Sequence, residues 1–139
     1  MKLFLDANVI YSASRSTNGA SYTLCQLGEK FNLSLITSTL ALVEAERNLA
    51  EKEKSTVIER FYQLLKTIKI VTIESSRAKQ YYKGLIEEKD APILYGALRS
   101  QADYLITLDK KHFFTEKLRK KKFPFIILTP GQFIKVLTT

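Results

Sequence analysis

Short apolar, β-branched runs alternate with longer segments of helical period along this chain, and that alternation leaves few folds open. The runs are Lys2–Leu5, Leu33–Thr37, Ile70–Ile73, Tyr104–Leu108 and Phe125–Leu128. Each suits a single strand and is too short for an ordinary helix. Between them, Leu24, Leu27 and Phe31 recur at helical spacing. Val57, Ile58, Phe61, Leu64, Leu65 and Ile68 form one apolar stripe, and Ile93, Leu94, Ala97 and Leu98 another. Tyr81, Tyr82, Leu85 and Ile86 predict a further helix, and Ile134, Val136 and Leu137 a last short one. Strand–helix alternation predicts an α/β fold with a mainly parallel sheet of about five strands, one per run. Leu3-Phe4-Leu5 and Tyr104-Leu105-Ile106 are nearly continuous in apolar character, as expected of central strands covered on both faces. Pro124 cannot donate to a ladder, so the last strand is expected at an edge. Lys52-Glu53-Lys54-Ser55 reads as a turn between two helices.

A length of 139 residues suits one domain with its own core, and neither a repeat nor a Gly/Ser-rich linker divides it, so residues 1–139 are expected to form a single unit. No apolar run approaches the ~20 residues of a membrane helix, and the N-terminus has no long apolar stretch of the signal-peptide kind. A cytoplasmic protein without membrane association is expected. Cys25, the only cysteine, sits in a helical pattern beside Leu24 and Leu27 and is read as a buried apolar residue. The net charge of +8 favours a polyanionic partner, nucleic acid first and anionic membrane second. Its densest run is Arg119-Lys120-Lys121-Lys122, with Lys110-Lys111 shortly before. These six are candidates for phosphate contacts, and a solvated helix end is the competing reading.

In open α/β sheets, ligands bind outside the carboxyl ends of the strands. Asp6 directly follows the first apolar run and Asp109 directly follows Tyr104–Leu108. If both strands are central and parallel, the two carboxylates emerge at one edge. So close together they repel, and a cation relieves that cost. Hard divalent ions do so through oxygen ligands, and Mg²⁺ keeps several waters beside one or two carboxylates. Zinc is disfavoured by a single Cys and a single His without zinc-type spacing, and His112 is read as a surface residue. Glu44 lies about two turns into a helix that Ser38 or Thr39 can cap, although Glu46 has an equal claim by composition. Asp90 precedes Ala91-Pro92 and an apolar helix, where an N-cap role competes with a functional one.

The segments Leu3-Phe4-Leu5-Asp6-Ala7-Asn8-Val9-Ile10, Thr37-Ser38 through Glu44, Lys89-Asp90-Ala91-Pro92-Ile93-Leu94 and Ala102 through Asp109 follow one another in the order found in PIN-domain proteins. Each is short, but four in order with suitable spacing, from Leu3 to about Leu128, make the chain resemble the PIN-domain family, including its VapC-like prokaryotic ribonucleases. The resemblance implies a three-layer α/β/α sandwich and Mg²⁺- or Mn²⁺-dependent cleavage of RNA, with single-stranded RNA as the expected substrate. It implies that Asp6, Glu44, Asp90 and Asp109 are the four catalytic acids, with Asp6, Asp90 and Asp109 holding the metal. Asn8 and Thr107 then take supporting positions, each able to hydrogen-bond a carboxylate or a water in the site. It further implies a toxin of a toxin–antitoxin module, with an antitoxin protein as partner and a homodimeric state. Asp103 enters its strand at the opposite end and is read as structural. Leu108 departs from the family pattern, which often has Gly or a small polar residue there, and is expected to narrow or dry the site.

Phosphodiester hydrolysis needs an activated water, neutralised phosphoryl oxygens and help for the leaving oxygen, all of which carboxylate-held Mg²⁺ can supply. Two other classes compete. A non-catalytic PIN-like nucleic-acid-binding module is disfavoured by intact acids at all four positions. A phosphotransfer domain is disfavoured because Asn8 stands where aspartyl phosphatases usually carry a second Asp, and because Asp6 lacks the acidic neighbour of a receiver.

Overall fold

The computed structural model describes residues 1–139. Five strands make one sheet: β1 (Lys2–Leu5), β2 (Ser34–Ser38), β3 (Ile68–Val71), β4 (Tyr104–Ile106) and β5 (Ile126–Leu128). Nine helices join and flank them: α1 (Ala7–Arg15), α2 (Ala20–Lys30), α3 (Thr39–Lys52), α4 (Ser55–Leu65), α5 (Ser75–Tyr81), α6 (Ala91–Arg99), α7 (Lys110–Phe113), α8 (Glu116–Lys120) and α9 (Pro130–Thr138). All four strand pairings are parallel, in the order β3-β2-β1-β4-β5. β1 is central, and Leu3, Phe4 and Leu5 are wholly buried. β5 lies at an edge, where Pro124 precedes it and Ile126 is exposed.

The order of the strands sets the layers. From β1 to β3 the chain winds in one direction, and α1 to α4 pack among themselves, with α9 against α2. It then crosses back to β4, and α6, paired with α5, lies on β1, β2 and β4. Right-handed crossovers in opposite directions put these two helical groups on opposite faces, giving an α/β/α sandwich. The winding reverses at β1, which has β2 on one side and β4 on the other. The crevice beyond the carboxyl ends of β1 and β4 is therefore the topological switch point, where ligands of such sheets bind.

Each strand overlaps its apolar run, but some boundaries differ from the sequence reading. Ile68 continues the stripe of α4 by period, yet α4 stops at Leu65 and Ile68 opens β3 opposite Leu35. Ile73 lies beyond β3, and β4 ends at Ile106 rather than Leu108. Tyr82, Leu85 and Ile86 do not extend α5. The chain turns at Gly84, whose φ of +82° suits a residue without a side chain. α1 is a helix that the apolar stripes do not announce. Asp6 caps it, and Val9, Ile10 and Ala13 bury its inner face. Cys25 is buried, and burial pushes its thiol up to about 11, in keeping with a packing role. No helix is long and apolar enough to cross a membrane.

Gly96 lets α6 rest on the central strand. A Cβ there would collide with the ring of Phe4, itself fully buried. Gly96→Ala gains helix propensity but must displace that ring, and overpacking of this kind costs about 1–3 kcal/mol. The expected result is a lower urea midpoint for Gly96→Ala with an unchanged m-value.

Candidate active site

Leu5 pairs with Ile106, so the residues that follow β1 and β4 leave the sheet side by side. Asp6 prolongs the ladder by donating its N–H to the Ile106 carbonyl at 3.0 Å. It then caps α1, its Oδ1 accepting from the Ala7 N–H at 2.7 Å. Its Oδ2 accepts from the Thr107 hydroxyl at 2.8 Å and from Asn8 Nδ2 at 3.2 Å. Thr107, fully buried, in turn accepts from the Asp109 N–H at 3.1 Å. Asn8 Oδ1 accepts from the Leu108 N–H at 3.0 Å, which fastens the end of β4 to the start of α1.

Above this network lies a cavity of about 230 Å³ to which Asp6, Glu44, Asp90 and Asp109 all contribute, together with Asn8, Tyr11, Asn48, Lys89 and Ile93. The four acids arrive from the ends of two strands and from two helices. α3 begins where Ser38 Oγ accepts from the Ala41 N–H, and it carries Glu44 to the cavity. Glu46, on the same helix, faces elsewhere and accepts from the Tyr62 hydroxyl at 2.8 Å. Asp90 occupies the N-cap position of α6, yet its carboxylate makes no capping bond. Its Oδ2 is buried and has no hydrogen-bond partner.

His112 is not the surface residue read from the sequence. Its side chain is 19% exposed, and its Nδ1 lies 2.7 Å from Asp109 Oδ2 and 3.7 Å from Asp90 Oδ2. Its Nε2 stands 3.5 Å from Glu87 Oε2. Glu87, Asp90 and His112 thus bring three donor atoms within 4.8 Å of one another. Sequence reasoning missed both Glu87 and His112. The spacing of His112 three positions after Asp109, where an N-cap faces the N3 residue, was the available signal for the latter. Glu87 carried none. Lys89, Tyr11 and Asn48 were also missed. Asn48 stands one helical turn beyond Glu44 and so shares its face.

Asp103 is at the other edge, its carboxylate accepting from the Lys2 N–H at 2.7 Å. Leu108 was expected to narrow the site. Instead it is 42% exposed and is not part of the cavity wall. None of Lys110, Lys111, Arg119, Lys120, Lys121 and Lys122 lines the acidic cavity. Lys110 and Lys111 open α7 directly after Asp109. Lys121 and Lys122 lie towards the start of β5, at the opposite sheet edge, around a cavity of about 250 Å³ shared with Tyr81, Tyr82 and Phe123.

Burial pushes the Asp6 carboxyl up to about 7, the nearby Glu44 and Asp90 charges add to the rise, and the Thr107 and Ala7 hydrogen bonds oppose it. Asp90 is raised too, first by burial and then by Asp109 and Glu87, against His112 and Lys89. Crowded carboxylates, one with an unpaired buried oxygen, form an all-oxygen donor set of the kind that hard divalent cations take. Asp6, Asp90 and Asp109 therefore fit such an ion.

A family model described as PIN domain matches residues 2–111. No curated protein sequence matches the chain. Among solved structures, VapBC2 from Rickettsia felis bound to a DNA fragment from their promoter is 20% identical, with a TM-score of 0.68 over 93% of this chain and 98% of that one. PAE2754 from Pyrobaculum aerophilum is 15% identical, with a TM-score of 0.65 over 99% and 96% of the two chains. FitAB bound to an IR36 DNA fragment is 16% identical, with a TM-score of 0.56 over 92% and 94%. At these identities the likeness is one of fold.

The raised Asp6 carboxyl gives metal-free protein a pH dependence of definite sign. The folded state keeps this proton up to about 7, whereas the unfolded chain releases it near 3.8. Across that window the folded state binds more protons, so stability falls as pH rises. In chelator the thermal midpoint is expected to drop between those two pH values, and Asp6→Asn to flatten the drop. Thermal melts by circular dichroism across that range check it.

Proposed function

The chain belongs to the PIN-domain family, and from that premise we propose that it is a divalent-metal-dependent endoribonuclease, residues 1–139 acting as a single nuclease domain. It hydrolyses phosphodiester bonds of single-stranded RNA. The observation that carries this reading is the convergence of Asp6, Glu44, Asp90 and Asp109 on one cavity at the β1/β4 switch point. Likeness in fold to VapBC2 and FitAB supports a further step. In this reading the protein is a cytoplasmic, homodimeric toxin with an antitoxin protein as partner.

Asp6, Asp90 and Asp109 would hold Mg²⁺ or Mn²⁺. The bound ion supplies Lewis acidity, which activates water and neutralises charge on the phosphoryl oxygens. Thr107 and Asn8 keep the Asp6 carboxylate in one orientation from behind. Glu44, carried to the same cavity by α3, would orient the attacking water and take its proton. Lys89, beside Asp90, brings a positive charge to the cavity wall where a phosphate would approach.

The deciding experiment measures RNA cleavage with Mg²⁺ or Mn²⁺ for the wild type, Asp109→Asn, Glu44→Gln and Glu46→Gln. Asp109→Asn and Glu44→Gln are expected to lose cleavage by orders of magnitude, while Glu46→Gln, whose side chain faces α4, keeps it. Metal-free RNA affinity of Asp109→Asn holds or rises, because an anion has been removed beside a polyanion. Full metal-dependent cleavage by Asp109→Asn would refute the assignment of that residue. A wild type that binds RNA but cleaves none would move the reading to a non-catalytic binding module.

Lys110, Lys111 and Arg119 to Lys122 are proposed as sequence-blind partners of the phosphate backbone. Exposed Tyr81, beside Lys121 and Lys122, offers a face on which a base can stack. Neutralising Arg119 to Lys122 should flatten the dependence of log affinity on log salt, by about 0.7 for each phosphate of a single strand that these side chains had neutralised. An unchanged slope would return the run to a solvated surface.

A further inference from the structure

Asp109 commits both carboxylate oxygens to one residue. Oδ1 accepts from the backbone N–H of His112 at 3.1 Å, and Oδ2 meets the ring Nδ1 at 2.7 Å. An ionised carboxylate only accepts, so the proton at this contact sits on Nδ1. On the far side of the ring, Glu87 Oε2 lies 3.5 Å from Nε2. We propose that His112 is a positioning residue that clamps the Asp109 carboxylate for cation binding. This rests on the nuclease reading above.

The local fold makes such a clamp necessary. Asp109 caps α7, a helix of four residues, and follows a strand that has already ended at Ile106. The backbone bond to Oδ1 is common to any N-cap and leaves the carboxylate free to pivot about it. The ring bond at Oδ2 removes that pivot. Each oxygen has two lone pairs, so one on each remains for a ligand on the cavity side. A pre-oriented carboxylate loses less side-chain freedom when it binds, and groups that hydrogen-bond a metal's ligands typically govern affinity or activity by 10- to 100-fold. The capping bond comes from the backbone of residue 112, so substitution of the side chain tests the clamp and spares the cap.

The test is Mn²⁺ binding by titration calorimetry, with thermal midpoints in chelator, for the wild type, His112→Ala and His112→Asn. The Asn amide N–H stands near the place of Nδ1. His112→Ala is expected to weaken Mn²⁺ binding by about 10- to 100-fold with little change in the metal-free midpoint. His112→Asn should recover most of the missing affinity. His112→Ala binding Mn²⁺ like the wild type would overturn the proposal. So would a weakening in His112→Ala that His112→Asn fails to recover, or one matched by a collapse of the metal-free midpoint. A wild type that binds no Mn²⁺ overturns the nuclease reading and this inference with it. A wild type that binds Mn²⁺ but cleaves no RNA counts against the nuclease reading alone and leaves the affinity comparison decisive.

Discussion

The hydrogen bond from Thr107 to Asp6 spans 101 positions of sequence and 2.8 Å of space. It exists because β1 and β4 lie side by side, and they do so because the chain, having wound outward from β1 to β3, crosses back over the sheet. The same pairing brings Asn8 to the end of β4 and Asp109 to the end of β1. Phe4, fully buried against Gly96, ties this central strand to α6, the helix that starts at Asp90. The acidic cavity is thus an outgrowth of the sheet's strand order.

That anchoring is needed because the cavity is electrostatically expensive. Asp6 is nearly inaccessible to solvent, and the hydrogen bonds from Thr107 and Ala7 do not offset its burial. Asp90 has a buried oxygen that nothing in the protein satisfies. A proton and a divalent cation are alternative ways of removing the same repulsion, and the cation removes more of it because several carboxylates share one ion. Rigid scaffolding is what allows such a cluster to persist instead of splaying apart.

Much of the fold was legible because it depends on periodicity. Five apolar runs became five strands, and the parallel sheet followed from the segments between them. What periodicity could not do was separate apolar residues that are buried in either conformation. Ile68 continues the α4 stripe and also fits β3, and only its pairing with Leu35 decides. The four acids were legible for different reasons. Asp6 and Asp109 follow strands, a placement that sheet topology explains. Glu44 and Asp90 needed family resemblance, since a helical Glu and an N-cap Asp are ordinary features. Glu87 approaches the cluster by tertiary geometry and His112 by the N-cap turn that Asp109 begins, and their types alone said nothing of it. The basic run was visible as charge, but its position at the far sheet edge depends on α8 returning the chain to the start of β5.

Strand order also governs when the acidic cluster can first exist. A growing chain that has made β1, β2 and β3 holds Asp6 and Glu44, but it has no Thr107, no Asp90 and no Asp109. Asp6 and Thr107 are gathered by nothing local, for the bond between them waits on the most distant pairing in the sheet. Because β4 must seat beside the central strand before the last acid comes into place, the cluster is completed by a non-local step. A chain in which β4 is missing or unseated therefore carries the acids as scattered solvated side chains, and whatever chemistry they perform together is withheld until that strand is in place.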